Sequence, residues 1–280
     1  MIVTNTAPQF HEKKANSKFL LLVLFGEYIQ PRGGEIWLSD LLYLLDLVGL
    51  GEHTARSTIN RMAREGWFTV TKDGRNSRFS LTEHGAKIMQ GGTLRVNETA
   101  LAEWDGAWHM ITYSLPEQQR KQRNTLRKQL NWLGYGSLGP GFWISPNNRH
   151  GELRPILESL HIEKSVHLFS GEYNGLLTTQ ELVSQCWDLD DLTSDYIEFS
   201  RFSEQELAQF KKAEPTPADC FVKRFMLTVR LFPILQKDPN LPLSMLPDQW
   251  PGELGRKLFT QYRTMLTPSV DQFIDGILKR

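Results

Sequence analysis

Glu52-His53-Thr54-Ala55-Arg56-Ser57-Thr58-Ile59-Asn60-Arg61-Met62-Ala63-Arg64-Glu65 is the stretch on which the fold turns. Set on a helix at about 100° per residue, Ala55, Ile59, Met62 and Ala63 fall together on one side, which can pack inward. His53, Thr54, Arg56, Ser57, Asn60, Arg61 and Arg64 fall on the opposite arc, which is rich in donors and almost free of acid. Arg pairs bidentately with guanine and Asn with adenine, while Ser and Thr hydroxyls reach base edges or phosphates. Helix-turn-helix proteins set the N-terminal part of their second helix against base edges. Thr54, Arg56, Ser57 and Asn60 are therefore candidates for base contact, and Arg61 and Arg64 for phosphate.

The flanks agree. A first helix is predicted over 17–30, closed by Pro31, Gly33 and Gly34. Ile36–Leu38 is a short strand, and Ser39 reads as the N-cap of a helix over Asp40–Val48 that Gly49 and Gly51 end. Behind the stretch, Trp67–Thr71 and Arg78–Leu81 read as strands around the turn Lys72-Asp73-Gly74-Arg75, followed by a helix over Thr82–Met89. Helix, strand, helix, helix, hairpin is the order of a winged helix-turn-helix. The hairpin adds Lys72, Arg75, Asn76 and Arg78 as candidate DNA contacts. Between Thr54 and Ser80 six Lys or Arg face only Glu65 and Asp73, so a basic surface is concentrated here.

That concentration matters because the chain as a whole has no charge to offer. Its 32 Lys and Arg balance 32 Asp and Glu over 280 residues, so bulk basicity does not mark it as a nucleic-acid binder. Eight Trp and fifteen Phe supply a sizeable core. Two isolated cysteines, Cys186 and Cys220, give neither a disulfide framework nor metal-ligand spacing. The apolar run Phe19–Phe25 follows Lys13, Lys14 and Lys18 but lacks a small-x-small cleavage site, and it falls short of the ~20 residues needed to span a bilayer. A cytoplasmic protein with a buried first helix is expected.

Residues 1–95 thus read as a winged-helix domain with a frayed arm at 1–16, and Gly91-Gly92 to about Glu103 as a linker. In 96–178, strand Trp108–Ser114, helix Glu117–Leu133, strand Phe142–Ser145, helix Leu153–Leu160 and strand Ser165–Glu172 suggest a ferredoxin-like α/β domain. Residues 179–280 are mainly helical, with helices at Gln180–Trp187, Leu192–Phe199, Glu204–Lys212, Ala218–Phe232 and Glu253–Met265. The fold class is α+β and multidomain.

Other motifs carry less. Gly134-Tyr135-Gly136-Ser137-Leu138-Gly139 matches G-x-G-x-x-G, but it follows a helix and precedes a strand, the reverse of a dinucleotide site, and reads as a turn. The seven His show no ligand spacing, and His109 and His167 sit inside strand patterns. The helix at 117–133 carries Arg120, Lys121, Arg123, Arg127 and Lys128. These suit a solvated face, a grip on the phosphates of coenzyme A, or a second contact to DNA. Trp143, Trp187, Tyr173 and Phe169 are the rings available for stacking.

The sequence resembles the PaaX family, repressors of phenylacetic-acid degradation operons, through Pro31-Arg32-Gly33-Gly34-Glu35-Ile36-Trp37-Leu38, Arg56 to Gly66-Trp67 and Ser80-Leu81-Thr82-Glu83-His84-Gly85. It continues through Trp108–Glu117, Leu126-Arg127, Gly134 to Pro146, Cys186-Trp187-Asp188-Leu189 and Asp238-Pro239 to Gly252. The resemblance implies a homodimeric, non-enzymatic repressor of double-stranded operator DNA, released by an aryl-CoA thioester such as phenylacetyl-CoA, with no other cofactor or metal. Arg120, Arg123, Arg127 and Trp143 are the effector-site candidates. One departure is Leu227-Thr228-Val229, where the family usually carries an acidic residue after a His. The middle domain also resembles a CRISPR-associated metal-dependent nuclease subunit, which makes a nuclease the alternative. That chemistry needs an Asp at the end of the first strand, and this chain has Tyr113-Ser114-Leu115-Pro116. A regulator sensing a different acyl-CoA is the other alternative.

Overall fold

Asn16 opens the first helix, its Oδ1 accepting from the Lys18 backbone N–H at 3.1 Å. A computed structural model describes residues 16–97, 103–210, 212 and 214–279. Helix α1 (Ser17–Leu24) buries Leu20, Leu21, Val23 and Leu24, then widens through a π turn, Phe25–Ile29, and tightens through a 3-10 turn, Gln30–Arg32. The apolar run is core, and no described helix is long and apolar enough to cross a membrane.

Strand β1 (Glu35–Trp37) leads into α2 (Leu38–Leu47), then α3 (Glu52–Arg64), β2 (Phe68–Asp73), β3 (Asn76–Leu81) and α4 (Glu83–Asn97). The three strands form one antiparallel sheet in the order β1-β3-β2. Two expectations need correcting. The N-cap position of α2 is Trp37, so Ser39 lies inside the helix. Helix α4 does not stop at Met89 but runs through Gly91-Gly92, so the first part of the expected linker is helical; 98–102 lie outside the described residues. Tertiary anchors override the glycine pair: Val96 is buried, and the Arg95 guanidinium donates to the carbonyls of Trp132, Leu235 and Asp238.

A second antiparallel sheet, in the order β5-β6-β4-β7, joins β4 (Trp108–Tyr113), β5 (Gly136–Gly139), β6 (Phe142–Ser145) and β7 (Val166–Gly171), with α5 (Arg120–Trp132) and α6 (His150–Leu160) between strands. Side chains alternate across it. Ile111 and Trp143 face Leu126 and Leu130 of α5 and Leu153 and Leu157 of α6. Trp108 and Ile144 face the other way, toward Leu182, Val183, Leu241 and Met245.

Helices α7 (Thr179–Cys186), α8 (Leu189–Phe210), α9 (Pro217–Lys237) and α10 (Pro251–Leu278) complete the chain. Thr178 and Glu181 form a capping box on α7, and Thr216 caps α9 by accepting from the Asp219 N–H. The two helices expected over 192–212 are one, because Phe199, Ser200 and Ser203 continue the buried face without a breaker. Helix α10 passes Pro268 and ends 13 residues beyond the expected Met265.

The chain forms two compact units, and neither is contiguous in sequence. One holds residues up to Leu94 with Pro215–Val229 and the stretch from Leu266 onward. In it Tyr28, fully buried, meets Phe221 with ring centroids 5.1 Å apart, and Phe221 meets Phe273 at 5.7 Å. Arg32 bonds Asp271 at 2.5 Å and Asp275 at 2.7 Å, and Arg224 lies 3.8 Å from both Glu27 and Asp271. The other unit, Arg95–Glu214 with Arg230–Met265, holds the second sheet and a buried polar centre. There Asp238 accepts from Tyr196 Oη at 2.5 Å and from Arg256 at 2.7 Å.

Candidate nucleic-acid interface

The phase of α3 is the one its sequence dictates. Ala55, Ile59 and Met62 are buried and Ala63 half-buried, with Thr58 joining them. Thr54, Arg56, Ser57, Asn60, Arg61 and Arg64 are all exposed. Gly51 at the N-cap position supplies no side-chain cap, and Glu52 in the first turn meets the positive end of the helix instead.

Acid intrudes on this face more than expected. Arg56 Nε donates to Glu52 Oε1 at 2.7 Å, one turn back, while Arg61 Nε lies 3.9 Å from Glu65. Glu65 is mainly held by Lys18, whose Nζ is 2.9 Å away and sits 4.1 Å over the Trp67 ring. That hydrogen bond keeps the Glu65 carboxyl below its ordinary range. Arg64 donates to the Asn60 carbonyl at 3.4 Å.

The hairpin runs in register from Phe68↔Leu81 to Asp73↔Asn76, leaving Gly74 and Arg75 at the tip. Opposed residues share a face. Lys72 opposes Ser77 on the side that carries Phe79 into the core, and Arg75 and Asn76 are exposed at the turn. Among the described residues Lys72 and Arg75 form no ion pair. Arg78 is different. It opposes Thr71 on the other face, sits 4.1 Å over the Trp37 ring and lies 3.4 Å from Glu35, so the sheet turns it away from Lys72.

The four effector candidates do not converge. Trp143 is 3 % exposed within the core beneath α5 and offers no open ring face. Arg120 and Arg123 lie 3.9 Å and 2.9 Å from Glu117, and Arg127 is exposed on the outside of α5.

Elsewhere, packing explains what motifs suggested. Gly134 has φ +83°, and a Cβ there would lie 2.5 Å from the Pro239 carbonyl oxygen; one on Gly136 would lie 2.6 Å from Cys186 Cβ. The run serves a turn and then a strand, β5, whose four residues include no β-branched or aromatic side chain to announce it. Burial pushes the Cys186 thiol up to about 11, away from the low range of a thiolate nucleophile. His109 is buried, with Nδ1 2.9 Å from Ser170 Oγ and its ring 5.4 Å from that of His150; burial lowers both pKa values. Among the described residues no group of three His, Cys, Asp or Glu is placed to hold a metal.

Three family models match the chain: "PaaX-like protein" over residues 15–85, "PaaX protein central Cas2-like domain" over 101–183 and "PaaX-like protein C-terminal domain" over 187–276. The chain is 28% identical over 263 residues to the transcriptional repressor PaaX of Escherichia coli (strain K12), covering 91% of this chain and 82% of that one. A solved structure, an uncharacterized protein from Mycobacterium tuberculosis, shares the fold with a TM-score of 0.56 and 21% identity, covering 92% of this chain and 97% of that one.

Proposed function

The chain belongs to the PaaX family, and from that premise we propose that it is a transcriptional repressor that binds duplex operator DNA through α3 and the β2–β3 hairpin. We read the order α1, β1, α2, α3, β2, β3 as a winged helix-turn-helix, and the β5-β6-β4-β7 sheet with α5 and α6 as a ferredoxin-like domain. The single observation that carries the reading is the exposed arc of α3. Thr54, Arg56, Ser57 and Asn60 would meet base edges, with Arg61, Arg64, Lys72 and Arg75 on phosphates. Arg78, held against Trp37, would reach DNA only by leaving that contact. A homodimer on half-sites about one helical turn apart, or a multiple, fits a two-fold operator.

The test is binding to the duplex upstream of its own gene. Arg56→Ala should remove base preference and leave the fold intact. Unchanged affinity and preference would show that α3 is not the reading helix. An aryl-CoA thioester, with phenylacetyl-CoA first in a panel of acyl-CoA compounds, should release the DNA, and the DNA should weaken thioester binding by the same factor. The same reading makes the chain a regulator and not an enzyme. Cleavage of DNA or RNA with magnesium or manganese, abolished by a mutation in the β4–β7 domain, would replace it with the nuclease reading.

A further inference from the structure

Helix α5 contains five Lys or Arg and no acid. Leu126 and Leu130 bury against the sheet. Arg120, Lys121, Asn124, Arg127, Lys128 and Asn131 share an outer arc about 120° wide at ~100° per residue, and all six are exposed. A single carboxylate, Glu117, serves Arg120 and Arg123. Among the described residues Lys121, Arg127 and Lys128 have no acidic partner. In a chain whose charges balance, this is a local positive field left unneutralised.

The shape of the face selects the partner. A coenzyme A thioester needs a concave site that encloses its acyl end. The outer side of α5 is a convex helix surface, and the ring expected to stack there, Trp143, is buried beneath it. An extended polyanion fits better. The arc from Arg120 to Asn131 is about 16 Å long at ~1.5 Å per residue, the rise of about five base pairs. We propose that the outer face of α5 is a second DNA surface, gripping the phosphodiester backbone of duplex outside the segment read by α3. This inference rests on the reading of α3 as the recognition helix.

The full-length chain carrying Lys121→Glu, Arg127→Glu and Lys128→Glu tests it, on upstream duplex trimmed stepwise to the shortest fragment that still binds specifically. On the longest duplex the slope of log affinity against log salt should fall by about 2.7, at ~0.9 per phosphate contact, so the wild-type advantage changes about 40-fold between 50 and 200 mM salt. On the shortest fragment the variant should match wild type. Lys121→Gln, Arg127→Gln and Lys128→Gln, which keep good helix formers, should give the same length-dependent loss even if charge reversal disturbs folding. Equal slopes on all lengths would overturn the proposal, as would an equal loss on every length, or lost acyl-CoA binding with DNA affinity intact. If Arg56→Ala abolishes base preference while α5 variants do nothing, only this second surface fails. If Arg56→Ala is also silent, the α3 reading fails with it.

Discussion

Glu52 lies one turn before Arg56 and takes its Nε, which leaves both terminal nitrogens of the guanidinium available to a base edge. In the proposed reading its cost is a negative charge on a face that would approach phosphates. Glu52→Ala should therefore tighten binding to all sequences while lowering discrimination by no more than about fivefold, since exposed ion pairs contribute about 0.2–1 kcal/mol. Competition binding on specific and scrambled duplexes separates the two effects. A loss beyond tenfold would mean that Glu52 reads a base itself, as carboxylates do at cytosine. The sequence placed every polar residue of this arc correctly, because helical phase is a local property. It did not pair Glu52 with Arg56, although the i, i+4 spacing was there to be read.

Among elements, α4 shows why boundaries are harder than phases. Two glycines in succession are a sound stop signal, and the helix passes them because Arg95 is anchored to carbonyls 37, 140 and 143 residues away. No window of sequence holds that information. Those carbonyls lie at the C-terminal ends of α5 and α9, where helices run out of internal donors. Arg95→Ala should destabilise the chain by about 2–4 kcal/mol, measured by urea denaturation, because carbonyls shielded from water lose their donor. Arg95→Lys should recover only part of it, since one ammonium cannot reproduce the guanidinium fork. Full recovery would reduce Arg95 to a generic charge. Strand β5 was missed for the same kind of reason: Gly136 leaves room for Cys186 and Trp187, as Gly134 just before the strand does for Pro239, a demand made by distant residues.

At the scale of the whole molecule, the first unit draws its core from three separate stretches. Helices α9 and α10 each contribute to both units, a membership that hydrophobic periodicity cannot reveal. A fragment ending at Asn97 lacks Phe221, Phe225, Phe273 and Arg224, so Tyr28 loses the Phe221 and Phe225 rings and Glu27 loses the Arg224 guanidinium. Removing a partner from a buried charge alone costs about 3–5 kcal/mol, a large share of the ~5–15 kcal/mol that keeps a domain folded. The fragment should melt without cooperativity, bind a hydrophobic dye and fail to select its operator. A sharp, dye-free melt would show that the N-terminal stretch holds itself together.

Translation adds a clock to this arrangement. Tyr28 emerges early, whereas Phe273 is polymerised 245 positions later. At about 5–20 residues per second that interval lasts roughly 10–50 s. The unit that holds α3, the proposed reading helix, is thus begun first and finished last. Until α10 is synthesised, its supporting core stands open, so a nascent or prematurely terminated chain would have no competent surface with which to occupy an operator.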